Sequence, residues 1–180
     1  MSDTADTATA AASGQQPLST RHRALGDLEH ELAVTRRTLE RVPDEHLAWQ
    51  PHAKSKPLGH LAAHLAQMPF WLGQIVTRPG LDLADGVGAV PSHSRDAILQ
   101  RFDETAAEAV AAFRAASGES LGEPWTLRRG EHVLMEMPRV ATIRAMVISH
   151  MVHHRAQLGV YLRLLDVPVP GAYGPSADER

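Results

Sequence analysis

No cysteine occurs anywhere in the 180 residues. That absence removes disulfides, thiolate metal ligands and a cysteine nucleophile, so any sulfur chemistry would need a sulfur brought by a substrate. Basic charge is not in excess either. Lys and Arg number 18 against 21 Asp and Glu, a formal net charge of −3, which gives no electrostatic drive toward nucleic acid or an anionic membrane. No stretch comes near the roughly eighteen uninterrupted apolar residues of a membrane span. Met1 to Pro17, rich in Ala, Thr, Ser, Asp and Gln, has no basic start and no apolar h-region. It reads as a flexible tail instead of a signal peptide, with the cytoplasm as default compartment. Residues 18–180 suffice for one core and one domain.

What is present is helical periodicity. A hydroxyl cap at Leu18-Ser19-Thr20 opens a helix to about Arg41, with Leu25, Leu28, Leu32, Leu39 and Val42 as its stripe and Pro43 as its stop. Residues 43–57 are too punctuated for a helix and are expected to cross one end of the structure. Within them, Trp49 can serve as a packed lid or as a platform for substrate. Ser55 caps a second helix to about Thr77, with Pro57 in its first turn and a kink expected at Pro69. Its inner face reads Leu61, His64, Leu65, Met68, Leu72 and Ile75. Residues 78–91 read as a surface loop, and a third helix runs from Ser92 or Ser94 to about Gly118. Leu121 to Pro138 is an extended crossover with the makings of a short hairpin; it could reach a metal site, which makes its Glu131 and Glu136 the acid–base candidates, neither singled out by the sequence. The fourth helix covers Ala141 to Asp166, and the Pro/Gly-rich segment 167–175 folds back over it. The fold class expected is all-α, a four-helix bundle with long connections. The Arg36-Arg37 and Arg128-Arg129 runs read as solvated surface.

The fourth helix is organised around Ser149-His150-Met151-Val152-His153-His154-Arg155. Its apolar seam, traced as Ile143, Val147, His150, His154, Leu158, Tyr161 and Leu165, holds two imidazoles where leucines would be expected. Residues four apart on a helix are neighbours, so His150 and His154 can ligate one ion, with His64 facing them from the second helix. The same spacing suits core histidines bonded to carboxylates or carbonyls, and spacing alone does not choose between the two. His60 is either a rim group or a fourth ligand. His153 is either a surface group or one that orients a ligand. Arg155 is either half of an ion pair or a substrate contact. His22, His30, His46, His52, His93 and His132 have no spacing that singles them out.

At Lys54-Ser55-x-x-Leu58-Gly59-x-Leu61-Ala62-x-His64-Leu65-Ala66, and again at His150-x-x-x-His154-Arg155-x-Gln157-Leu158, the chain resembles the DinB/YfiT-like family of small bacterial metalloproteins. Tyr161-Leu162-Arg163 and the terminal run from Val167 to Glu179 extend the resemblance over nearly everything after the tail. It implies a four-helix bundle, often a homodimer, with a three-histidine site for zinc or nickel. Carried over position by position, the ligands would be His64, His150 and His154. His60 stands where relatives are often acidic, and Ala156 where they carry Gly. The resemblance further implies an S-transferase joining a low-molecular-weight thiol co-substrate to small electrophiles. A metal-dependent hydrolase and a non-catalytic, metal-stabilised, stress-related bundle are the alternatives. A small-molecule substrate is expected, with no nucleic acid and no membrane as partner.

Overall fold

The computed structural model describes residues 20–88 and 92–179. The tail at 1–17 and the cap at Leu18-Ser19 lie outside the described residues. Helix α1 (Thr20–Leu39) buries Leu28, Leu32 and Leu39 along one face, the three- and four-residue spacing expected of it. The chain then crosses one end of the bundle through a single 3-10 turn, Asp44–His46. It is tied to the start of α2 (Leu58–Ala66) by backbone bonds from the Leu58 N–H to the Trp49 carbonyl, 2.8 Å, and from the Gly59 N–H to the Leu47 carbonyl, 2.9 Å. A side chain at 59 would meet Leu47 Cβ and the Ser92 carbonyl at 3.1 Å, so glycine is what lets this crossing lie so close.

The second expected helix is two. α2 ends at Ala66, and α3 (Met68–Thr77) begins after the single residue Gln67, with Pro69 in its first turn, where the missing N–H costs nothing. Proline therefore starts a new helix here instead of kinking an old one. The expected cap at Ser55 is also not made. Pro57 precedes the first helical residue and no side chain caps it. Helix α4 (Arg95–Ala115) does open as expected, on Ser94, whose hydroxyl accepts from the Ala97 N–H at 3.1 Å.

The fold is mostly helical but not purely so, which corrects the all-α expectation. After the short α5 (Gly118–Gly122), strands β2 (Pro124–Arg129) and β3 (His132–Pro138) form an antiparallel hairpin, and β1 (Gly80–Asp82) pairs parallel with β2. The segment 78–91, read as loop, thus contributes an edge strand. Three residues of β1 are too few to show a period-2 pattern. Gly80 is needed there because a Cβ would sit 2.5 Å from the Thr126 carbonyl. β2 alternates in burial, with Trp125 at 0 % exposure and Leu127 turned into the core, so the sheet is anchored to the bundle by one face.

The last helical stretch runs through α6 (Arg139–Thr142), a π-helical segment (Ile143–Ser149) and α7 (His150–Leu164). One core joins Leu28 and Leu32 of α1, Leu61 and Leu65 of α2, Leu72 of α3, Phe102 and Phe113 of α4, and Met151, Leu158 and Leu162 of α7. Each large apolar side chain sealed there contributes about 1.5–3 kcal/mol. Beyond α7 the chain folds back as expected. Arg163 bonds Asp178 at 2.6 Å, Asp178 accepts the Val169 N–H at 2.8 Å, and Glu179 accepts the Gly171 N–H at 3.0 Å.

Candidate metal centre

The π-helical segment sets the aim of everything after it. The buried positions run Thr142, Ile143, Val147, Ile148, Met151, Arg155, Leu158, Leu162, and the five-residue interval from Ile143 to Ile148 falls inside the segment where i→i+5 bonding widens the turn. The core stripe therefore passes through Met151 and Arg155, not through His150 and His154 as the seam traced from sequence had it. The two histidines lie on the next ridge, about 100° round the helix. They are half-buried, as are Tyr161 and Leu165. This shoulder position gives them both a dry flank and access to solvent.

His64 reaches the same point from α2. Its ring centroid is 4.7 Å from that of His154 and 5.3 Å from that of His150, and the latter two are 4.5 Å apart. One ring nitrogen from each histidine lies within 4.8 Å of the other two, and His150 Nε2 and His154 Nε2 approach to 2.7 Å. Four-coordinate zinc with Zn–N bonds of about 2.0–2.1 Å would need such nitrogens about 3.4 Å apart, a separation that lies between the 2.7 Å of the His150–His154 pair and the 4.8 Å that bounds the cluster. Among the described residues no carboxylate bonds these rings, which removes the core-histidine reading in its usual form.

Electrostatics favour the neutral, ligating form. Burial first, then His154 and His150, then His60 and Lys56, push the His64 imidazole down to about 4. His154 is lowered by burial as well, against the opposing pull of its bond to Gln157. That bond, His154 Nδ1 to Gln157 Oε1 at 2.7 Å, holds the proton on Nδ1 because the amide oxygen only accepts. The lone pair is then on Nε2, facing the other rings. Gln157 has no role in the sequence reading, although its position three residues after His154 is the signal that would have found it.

The other candidates fall into place around this cluster. His60 is exposed and lines a cleft of about 430 Å³ beside His64 and His154, in line with a rim group. His153 is exposed, with its ring 4.9 Å from that of His154. Trp49 packs edge-on against Tyr161, 5.7 Å between centroids, and it is Tyr161 that faces the cleft. Arg155 turns away altogether. It is buried against Glu31 of α1, 2.6 Å from Oε2, with Tyr173 bonded to both partners at 2.7 Å. Of the two roles weighed for Arg155, the structure has the ion pair. Glu131 and Glu136 are exposed on the hairpin, and neither lines the cleft; Glu136 accepts from Thr126 instead.

Comparison with known proteins gives a consistent picture. A protein-family model described as the DinB family matches residues 24–180. The crystal structure of a DinB-like protein from Bacillus cereus is 21 % identical, with a TM-score of 0.63 over 83 % of this chain and 95 % of that one. A second, of a DinB-like protein (YjoA) from Bacillus subtilis, is 14 % identical, with a TM-score of 0.63 over 81 % of this chain and 95 % of that one. At these identities the likeness is one of fold. Among curated proteins none matches.

Proposed function

This chain belongs to the DinB family, and on that premise we propose that His64, His150 and His154 hold one divalent metal ion, zinc or nickel, in an S-transferase acting on small electrophiles. The carrying observation is the convergence of three imidazole nitrogens within 4.8 Å at the edge of an open cleft. Three histidines leave a coordination position for a substrate atom. When bound, the ion would act as a Lewis acid that stabilises a thiolate.

The chain's own residues then have distinct tasks. Gln157 would fix the tautomer and rotation of His154, and the apolar flank formed by Leu61 and Tyr161 would keep bulk water from one side of the cleft. His60, exposed at the rim, would take the thiol proton as the thiolate forms; the sulfur–carbon bond would then form as the electrophile's leaving group departs with its bonding pair. The thiol arrives as co-substrate, because the chain has no cysteine to supply one. Among the described residues no Asp or Glu lines the cleft, and this favours thiol transfer over hydrolysis driven by a carboxylate base. A homodimer belongs to the same proposal, with light scattering as its check.

The test is metal content by mass spectrometry on wild type and His150→Ala, followed by a thiol-conjugation assay on the loaded protein. Near-stoichiometric zinc or nickel in the first and a large loss in the second are expected. Equal occupancy in both would remove the ligand set.

A further inference from the structure

The chain contains two lysines among its 18 basic residues, Lys54 and Lys56, and both line the cleft beside His64 and His154. Every ion pair among the described residues uses arginine; neither lysine takes part in one. Among the described residues no carboxylate lines the cleft to balance them. Nor are the lysines on a loose tether. The Lys54 N–H bonds His52 Nδ1 at 3.1 Å, the Ser55 N–H bonds the His52 carbonyl at 2.9 Å, and the Leu58 N–H bonds the Trp49 carbonyl. Arginine, with its planar fork, serves the structural pairs of this protein. The compact ammonium is reserved for one place, where a mobile point charge can follow a ligand.

We propose that Lys54 and Lys56 form an anion subsite that selects a carboxylate-bearing small molecule and presents it to the three-histidine site. The inference deepens the metal reading and rests on it for the direction in which the ligand is presented. Carboxylate is favoured over phosphate by the backbone. Phosphate sites are built from free N–H groups at a helix start, but at the start of α2 the Leu58 and Gly59 N–H groups are taken by the Trp49 and Leu47 carbonyls, and the Leu61 N–H by the Pro57 carbonyl. What remains to meet an anion is side-chain ammonium and no more than one of the first four helix N–H groups, that of His60, with Ser55 and Tyr161 beside it. Two ammoniums lining one cleft suit separate or paired carboxylates without demanding a tetrahedral cradle.

The test is binding, read by calorimetry at low salt on full-length protein, metal-free and zinc-loaded, with succinate as probe and succinamide and inorganic phosphate as comparators. Succinate is expected to bind both forms, with the affinity falling as salt rises and by about tenfold or more in Lys54→Gln/Lys56→Gln. Lys54→Arg/Lys56→Arg should restore most of it. Zinc content of the Gln double variant is expected to equal that of wild type, so failure of the subsite and failure of the metal site are read separately. Unchanged succinate affinity in the Gln double variant would overturn the proposal, as would phosphate or succinamide binding as tightly as succinate. Binding that needs zinc but ignores the lysines would overturn it too, since the carboxylate would then be a plain metal ligand.

Discussion

Gln157 holds His154 by its Nδ1, with the amide oxygen 2.7 Å from the ring, one helical turn along α7. With the amide oxygen accepting, the proton sits on Nδ1 and Nε2 is left to face the other rings, which places Gln157 directly behind a proposed ligand.

Truncating that amide should therefore weaken metal binding without touching a ligand. For Gln157→Ala we expect a drop in zinc affinity of about 10–100-fold, read by competition with a chromogenic chelator. Gln157→Glu, which keeps an acceptor at the same place, should retain binding. Equal affinity in the alanine variant would deprive the contact of this role.

Removing the metal should leave the fold standing. The core passes through Met151, Leu158 and Leu162, on a ridge next to the histidines, so its packing does not depend on an ion between them. After dialysis against a chelator the helical circular dichroism signal and a cooperative melt should persist. The melting temperature should fall only by the mass-action amount that loss of a ligand dictates. Loss of the cooperative transition would make the metal a structural one.

Arg155 is predicted to be a stability residue with no effect on metal content. Arg155→Ala strips Glu31, whose side chain is 11 % exposed, of its cation, and should cost about 3–5 kcal/mol by denaturant midpoint. Tyr173→Phe removes one hydroxyl that bonds both members of the pair and should cost about 1–2 kcal/mol. Zinc per folded molecule should match wild type in both variants.

The terminal strap should loosen in acid. The Arg163 guanidinium, followed by the Val169 N–H, holds the Asp178 carboxyl down at about 2 against an ordinary value of 3.8. A depressed folded-state pKa means the contribution is fully present above the ordinary value and is lost as pH falls through about 4 toward 2. The Val169 amide, bonded to Asp178 Oδ2 at 2.8 Å, should shift across that window in NMR spectra of the wild type. In Asp178→Asn it should not.

The legible parts of this molecule are those where one side chain type repeats at helical spacing. α1 could be read from Leu28, Leu32 and Leu39, α4 from Ser94 and its apolar side, and the three histidines from the four-residue spacing of His150 and His154 together with the family resemblance. The illegible parts turn on backbone geometry or on charge serving as core. Pro69 looks the same in sequence whether it kinks a helix or starts one. Arg155 was passed over as a core position because a guanidinium is not apolar, and this pulled the inferred seam one ridge over onto His150 and His154. β1 was hidden in a Gly- and Pro-rich stretch because its three residues are recruited by β2, not by their own pattern.

The wide turn between Ile143 and Ser149 leaves α7 in a rotational phase that an unbroken coil from α6 would not reach. Met151 and Arg155 can fill the interior only because that phase is offset, and the same offset carries the neighbouring imidazoles to the lip of the cleft. Packing and ligation are thereby indexed to one backbone irregularity. A scaffold carrying the identical letters on a regular helix would have to choose between a filled interior and an aimed pair of rings.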